Sequence, residues 1–86
     1  MSECPHVSAL PHPEPEPLSG TCLECVAAGT QPVHLRLCLF CGHVGCCDSS
    51  PLRHGTGHFE ETGHPVMRSF EPGESWRWCF VDGAIV

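Results

Sequence analysis

Between residues 33 and 39 the chain alternates: Val33, Leu35, Leu37 and Leu39 are apolar, with His34, Arg36 and Cys38 between them. A period of two marks a half-buried strand, the valine and leucines inward and Cys38 delivered from the other face. Gly42 and His43 then form a tight turn, and Val44, Gly45 and Cys46 a short return strand. Two later runs alternate as well. Over 65–71, Val66, Arg68 and Phe70 share one face and Met67 takes the other; over 76–82, Trp76, Trp78 and Phe80 oppose Arg77, Cys79 and Val81. Three aromatics in a stripe have the character of core, and a tryptophan left half exposed beside a groove would make a recognition surface.

One stretch, 51–62, reads as helix. Ser50 suits the N-cap, Pro51 suits the first helical position, where its missing N–H costs nothing, and Gly63 ends the run. Gly55 and Gly57 weaken this helix by roughly 1 kcal/mol each relative to alanine. His54 and His58 lie four apart and face the same way, so a helix this poor in propensity is held by what its histidines bind. Prolines at 11, 13, 15 and 17 forbid a helix and deny a central strand its donors, which leaves 7–20 as an extended Pro/Glu-rich loop.

Eighty-six residues make one small domain, 1–86, which buries too little surface to be stable without cross-links, a metal or a partner. Eight cysteines admit a disulfide framework. Against it stand the lack of a secretory signal peptide, seven histidines and close Cys/His spacing, which together point to reduced thiols in the cytoplasm. Cys4 and His6 are one residue apart; Cys22 and Cys25, and Cys38 and Cys41, are each separated by two; Cys46, His54, His58, His64 and Cys79 follow. Thiolates with imidazole partners select zinc.

Formal charge is −6, from ten acids and four arginines with no lysine. No basic stripe is present for a phosphate backbone to follow, and no apolar run has the length of a membrane span, so neither nucleic acid nor membrane is expected as a partner. A basic peptide or protein surface is electrostatically easier. Catalysis is not expected either: the ligands suffice to close every site, Glu60 and Glu61 lack a metalloprotease spacing, and His43 is a lone turn histidine.

The ligand order Cys-x-His, Cys-x2-Cys, Cys-x2-Cys-x4-Cys, His-x3-His-x5-His, with a late Trp-Cys and the segment Gly63, His64, Pro65, resembles the UBP-type (ubiquitin-specific-protease-type, BUZ) zinc finger over residues 4–82. The resemblance implies an α+β fold, a small twisted antiparallel sheet with one or two helices stabilised by multiple zinc ions. By the family's interleaved pattern, Cys22, Cys25, Cys46 and His54 hold one ion, and Cys38, Cys41, His58 and His64 a second. A third pairs Cys4 and His6 with a late Cys-x2-Cys, which here reads Cys79 to Asp82. A carboxylate is a competent zinc ligand, so three ions are expected, or two if Asp82 does not bind. Spacing from Cys41 picks Cys46, whereas counting back from His54 picks Cys47; the rigid upstream knuckle favours Cys46 and leaves Cys47 a free thiol.

The same resemblance bears on function. Ubiquitin-binding members use an arginine two residues after this cysteine to hold the free carboxylate of the Gly-Gly tail, and Asp48 stands there, reversing the sign of the interaction. Arg36 occupies the place of a pocket aromatic, Trp78 matches the pocket tryptophan, and Phe80 takes a tyrosine position. The chain thus resembles short stand-alone bacterial versions. It implies a non-catalytic module for a protein or peptide tail, with Trp76, Trp78 and Phe80 stacking and Arg36, Arg53, Arg68 or Arg77 supplying any carboxylate contact. The alternative is a structural or regulatory accessory protein, whose pocket would be filled. A further one is a thiol-based zinc-release sensor through Cys47 or Cys79.

Overall fold

Five antiparallel strands pair in the order β2-β1-β3-β4-β5: β1 Leu35–Cys38, β2 Val44–Cys46, β3 Val66–Ser69, β4 Arg77–Cys79 and β5 Ala84–Ile85. The structure, a computed structural model, describes residues 5–11 and 13–86. Among the described residues three helices complete it: α1 Pro5–Ser8, α2 Leu23–Ala28 and α3 His54–Thr62. The fold is α+β, as expected.

Register explains the two faces of the sheet. Leu37 sits opposite Val44 on one side and Arg68 on the other, and Val66 opposite Cys79. These residues point to the face where Leu10, Leu37, Leu39, Val44, Val66 and Cys79 form the buried core. On the opposite face Cys38 pairs with Met67, Met67 with Trp78, and Trp78 with Ile85. A second, smaller cluster is made of Cys22, Cys25 and Cys46 packed with Leu35. Sulfur therefore takes the place of carbon in part of this core.

The predicted strands are real but shorter. Val33 leaves the sheet: its N–H donates to the Ser50 hydroxyl at 2.8 Å and its side chain is 53% exposed. Val81 and Asp82 lie in a turn instead of a strand, because the Gly83 N–H bonds back to the Cys79 carbonyl at 2.8 Å and returns the chain as β5, which the alternation did not foresee.

The helix over 51–62 begins later than Ser50 and Pro51 suggest. Ser50 is buried in the turn closed by its N–H to the Cys47 carbonyl, and its hydroxyl is spent on Val33. The helix starts instead at His54, whose N–H donates to Cys46 Sγ at 3.0 Å, so a sulfur sets the first turn. Arg53, just before it, has φ 47° and ψ 52°, a left-handed conformation that a side chain rarely adopts. Helix α3 crosses β2 very closely: a Cβ on Gly45 would lie 2.7 Å from the Gly55 nitrogen.

Helix α2 was not foreseen, since Cys22 and Cys25 showed only the spacing of a ligand pair. Its stop is Gly29 at φ 74°, where the following Thr30 N–H bonds to the Cys25 carbonyl. Helix α1 overlaps the front of the loop expected over 7–20; beyond Leu10 the described residues of that stretch form neither helix nor strand.

Candidate metal centres and an adjoining groove

Three groups of side chains bring one ligand atom each to within 4.8 Å of one another: Cys22, Cys25, Cys46 and His54; Cys38, Cys41, His58 and His64; and His6, Cys79 and Asp82. Cys4, expected in the third group, lies outside the described residues. Zinc with bonds of about 2.3 Å to sulfur and about 2.0–2.1 Å to nitrogen places S and N at tetrahedral corners about 3.5 Å apart, and two N about 3.3 Å apart.

The distances fit that figure. His54 Nδ1 lies 3.3 Å from Cys22 Sγ, 3.3 Å from Cys25 Sγ and 3.5 Å from Cys46 Sγ. In the second group Cys38 Sγ is 3.5 Å from His64 Nδ1, Cys41 Sγ 3.4 Å from His58 Nε2, and the two ring nitrogens 3.4 Å apart. In the third, His6 Nδ1 is 3.4 Å from Cys79 Sγ and 3.9 Å from Asp82 Oδ1. The domain is thus stabilised by clustered zinc-binding sites, up to three of them. Each of the first two groups offers four donors, the number that a closed tetrahedral site needs.

The structure gathers Cys46, not Cys47, into the first group, and the turn between it and His54 absorbs the extra residue. The Cys47 sulfur is 3.5 Å from the Ser50 hydroxyl. Burial opposes its thiolate, but that hydroxyl, backbone groups at Ser49 and His34, and the charge of Arg36 hold it below the ordinary thiol range.

Protons compete with metal at these groups. Without zinc, burial pushes Cys22 up to about 12 and Cys38 up to about 11, so metal must displace their protons. Burial, with the neighbouring charges of His43 and His64, pushes His58 down to about 4, which keeps its imidazole neutral and able to ligate. His43 stacks on His58 with centroids 4.1 Å apart and planes 4° from parallel, and its other side bonds the Glu24 carboxylate. Sequence reasoning gave His43 no role; only the turn at Gly42 hinted that it faces the second knuckle.

Beside these centres a cavity of about 470 Å³ opens between the sheet and the start of α3. Trp76, Trp78 and Phe80 line it and are half-buried, so the aromatic stripe is wall and not core. The reason is that they face away from the leucines. Phe80 is steadied by Phe59, stacked at 4.8 Å. Arg36 lies 4.6 Å over the Trp76 ring and donates from Nη1 to the Leu35 carbonyl at 2.9 Å. Asp48 is on the lining and accepts the Thr56 hydroxyl.

Of the residues proposed for peptide contact, Trp76, Trp78, Phe80 and Arg36 come together; Arg53 is exposed and off the lining. Arg68 pairs with Glu14 at 3.1 Å. Met67 was missed as a groove residue, although its register opposite Trp78 follows once the strands are paired.

Comparison with known proteins agrees with this architecture. The solution NMR structure of protein RPA1320 from Rhodopseudomonas palustris superposes with a TM-score of 0.87 at 45% identity, covering 99% of this chain and 81% of that one. The BRCA1-associated proteins of Mus musculus and Homo sapiens are 43% identical over 66 residues, 76% of this chain. That match spans only 10% of each relative's length. Residues 22–86 match the family described as the Zn-finger in ubiquitin-hydrolases and other protein. With both of its four-residue thiolate and imidazole clusters on that same stretch, the chain belongs to this zinc-finger family and is a non-catalytic, zinc-binding domain of the UBP type.

Proposed function

We propose that the chain is a binding module for a protein or peptide tail, and that the aromatic groove is where the tail sits. The open cavity of about 470 Å³ carries this reading, because a merely structural accessory domain would have filled it. Trp78 and Phe80 offer ring faces for stacking, and Arg36 offers a guanidinium that pairs with no carboxylate among the described residues. Zinc holds the walls in place: Cys46, Gly55 and Thr56 line the groove and belong to the segments that the first ion would join. The individual ligands proposed are the twelve read from the sequence, Cys4 included.

A ubiquitin tail is not the occupant on this proposal. Asp48 puts a carboxylate on the wall where a tail carboxylate would have to approach, and a desolvated like-charge contact is repulsive. The test is a titration of zinc-loaded protein, read by tryptophan fluorescence, with a ubiquitin tail peptide ending in a free Gly-Gly carboxylate, alongside selection from a library of random peptides with free C-termini. The tail peptide is expected not to bind the native chain and to bind Asp48→Arg. Selected library peptides are expected to lose binding to Trp78→Ala with zinc content unchanged. Tight binding of the tail peptide by the native chain would refute the role given to Asp48; peptides that bind Trp78→Ala as well as native would remove the groove from the account.

A further inference from the structure

A second cavity, of about 360 Å³, lies between the 18–24 segment and the C-terminal half of α3, and it shares no lining residue with the aromatic groove. Leu18, Leu23 and Val44 give it an apolar surface, and Glu24 and Glu61 give it charge. Leu18 is 72% exposed and Leu23 57%; Val26, nearly one turn further along α2, is 64% exposed. Single exposed apolar residues are ordinary on a small protein. Leu18 and Leu23 on the lining, with Val26 exposed one turn beyond Leu23, are apolar surface of the kind that marks an interaction site.

The charge around this cavity is of one sign. No arginine lines it, and the chain has no lysine. Glu61 pairs with no cation among the described residues, and the Glu24 side chain, though bonded to His43, is still 48% exposed. An apolar cleft with an acidic rim on a chain of formal charge −6 is complementary to a segment that carries both aliphatic and basic side chains. A second copy of the chain would bring acid against acid, and an anionic lipid surface would be repelled likewise.

We infer that this cavity is a second docking site, for a basic amphipathic segment of a partner protein. Its aliphatic side chains lie between Leu18 and Leu23, and its lysines or arginines reach Glu24 and Glu61. Bound there, the partner also covers the outer side of His43 and His58, which line the same cavity. The chain then joins two partners, one on each groove.

The probe is a synthetic amphipathic peptide with leucines three and four residues apart and lysines elsewhere, titrated into zinc-loaded protein and followed by amide and indole NMR shifts. Its twin carries glutamate for every lysine. Saturable shifts at Leu18, Leu23, Val44 and Thr62, with the indoles of Trp76 and Trp78 unmoved, are expected for the lysine peptide and not for the twin. Leu18→Ser combined with Leu23→Ser abolishes binding at unchanged zinc content, and Glu61→Gln weakens it about fivefold, the size of one exposed ion pair. Equal binding of the twin, shifts centred on the tryptophans, or no saturable binding of the lysine peptide would overturn the inference.

Discussion

The first ligand group and the third lie in opposite surroundings. Cys22, Cys25 and Cys46 have no exposed surface at all and constitute a core cluster themselves. In the third group the His6 and Asp82 side chains remain 31% and 34% exposed, and the 3.4 Å approach of His6 Nδ1 to Cys79 Sγ brings together residues 73 apart in sequence. One kind of site replaces apolar packing; the other clips a short helix onto a finished sheet. In a domain this small the difference decides what the loss of an ion would do.

The largest effect is expected at the first group. Structural zinc in small fingers contributes roughly 10–16 kcal/mol of apparent binding, more than a domain of this size has to spare. Cys46→Ser is therefore expected to unfold the chain, whereas Cys47→Ser leaves zinc content and near-UV circular dichroism unchanged. Equal effects of the two would end the distinction between cluster and free thiol. Excess chelator is expected to act like Cys46→Ser, and a native NMR spectrum after complete zinc removal would contradict it.

Asp82→Asn tests the other side of the contrast. Native mass spectrometry is expected to register one zinc fewer with the sheet intact, as the carboxylate is the most exposed of the group's described members. Loss of two or more ions would mean that the third group supports the others.

Acid sharpens the contrast further. Burial is the main cause that pushes His58 down to about 4 in the folded chain, below its ordinary 6.5. Above about 6.5 it contributes no pH dependence. As pH falls from about 6.5 to about 4 the unfolded chain takes up a proton that the folded chain refuses, so stability declines through that window and proton competition for the zinc ligands adds in the same direction. Urea midpoints measured across that range check the sign; a midpoint that rises on acidification would be the wrong one. Smallest is Arg53→Gly. Relieving a left-handed residue ahead of His54 is expected to raise stability by about 1 kcal/mol, read from the thermal midpoint.

Much of this was legible in the residues. Alternation placed Leu35 with Leu37 and set Trp78 opposite Cys79 correctly, because the side-chain period of a strand is a local property. The start of α3 was not legible. Ser50 and Pro51 make a sound local cap, yet Ser50 is drawn off by Val33, which is 17 residues away, and Cys46 takes over the first turn. Strand β5 escaped for a similar reason, since it exists only by pairing with β4. The grouping of ligands came from the family pattern and not from spacing, as both His54 and His58 stand on one helix and either knuckle could claim them. The groove was half legible: its aromatics were named, but whether they faced core or solvent depended on which side the leucines chose.

The crossing of the two four-residue groups has a consequence for how such a chain can change over time. Residues 22–54 hold the whole first group and 38–64 the whole second, so the stretch 38–54 belongs to both. Tandem fingers can be duplicated, trimmed or lost one at a time. Here no cut excises one centre without severing the other, and an insertion between residues 38 and 54 is felt by both.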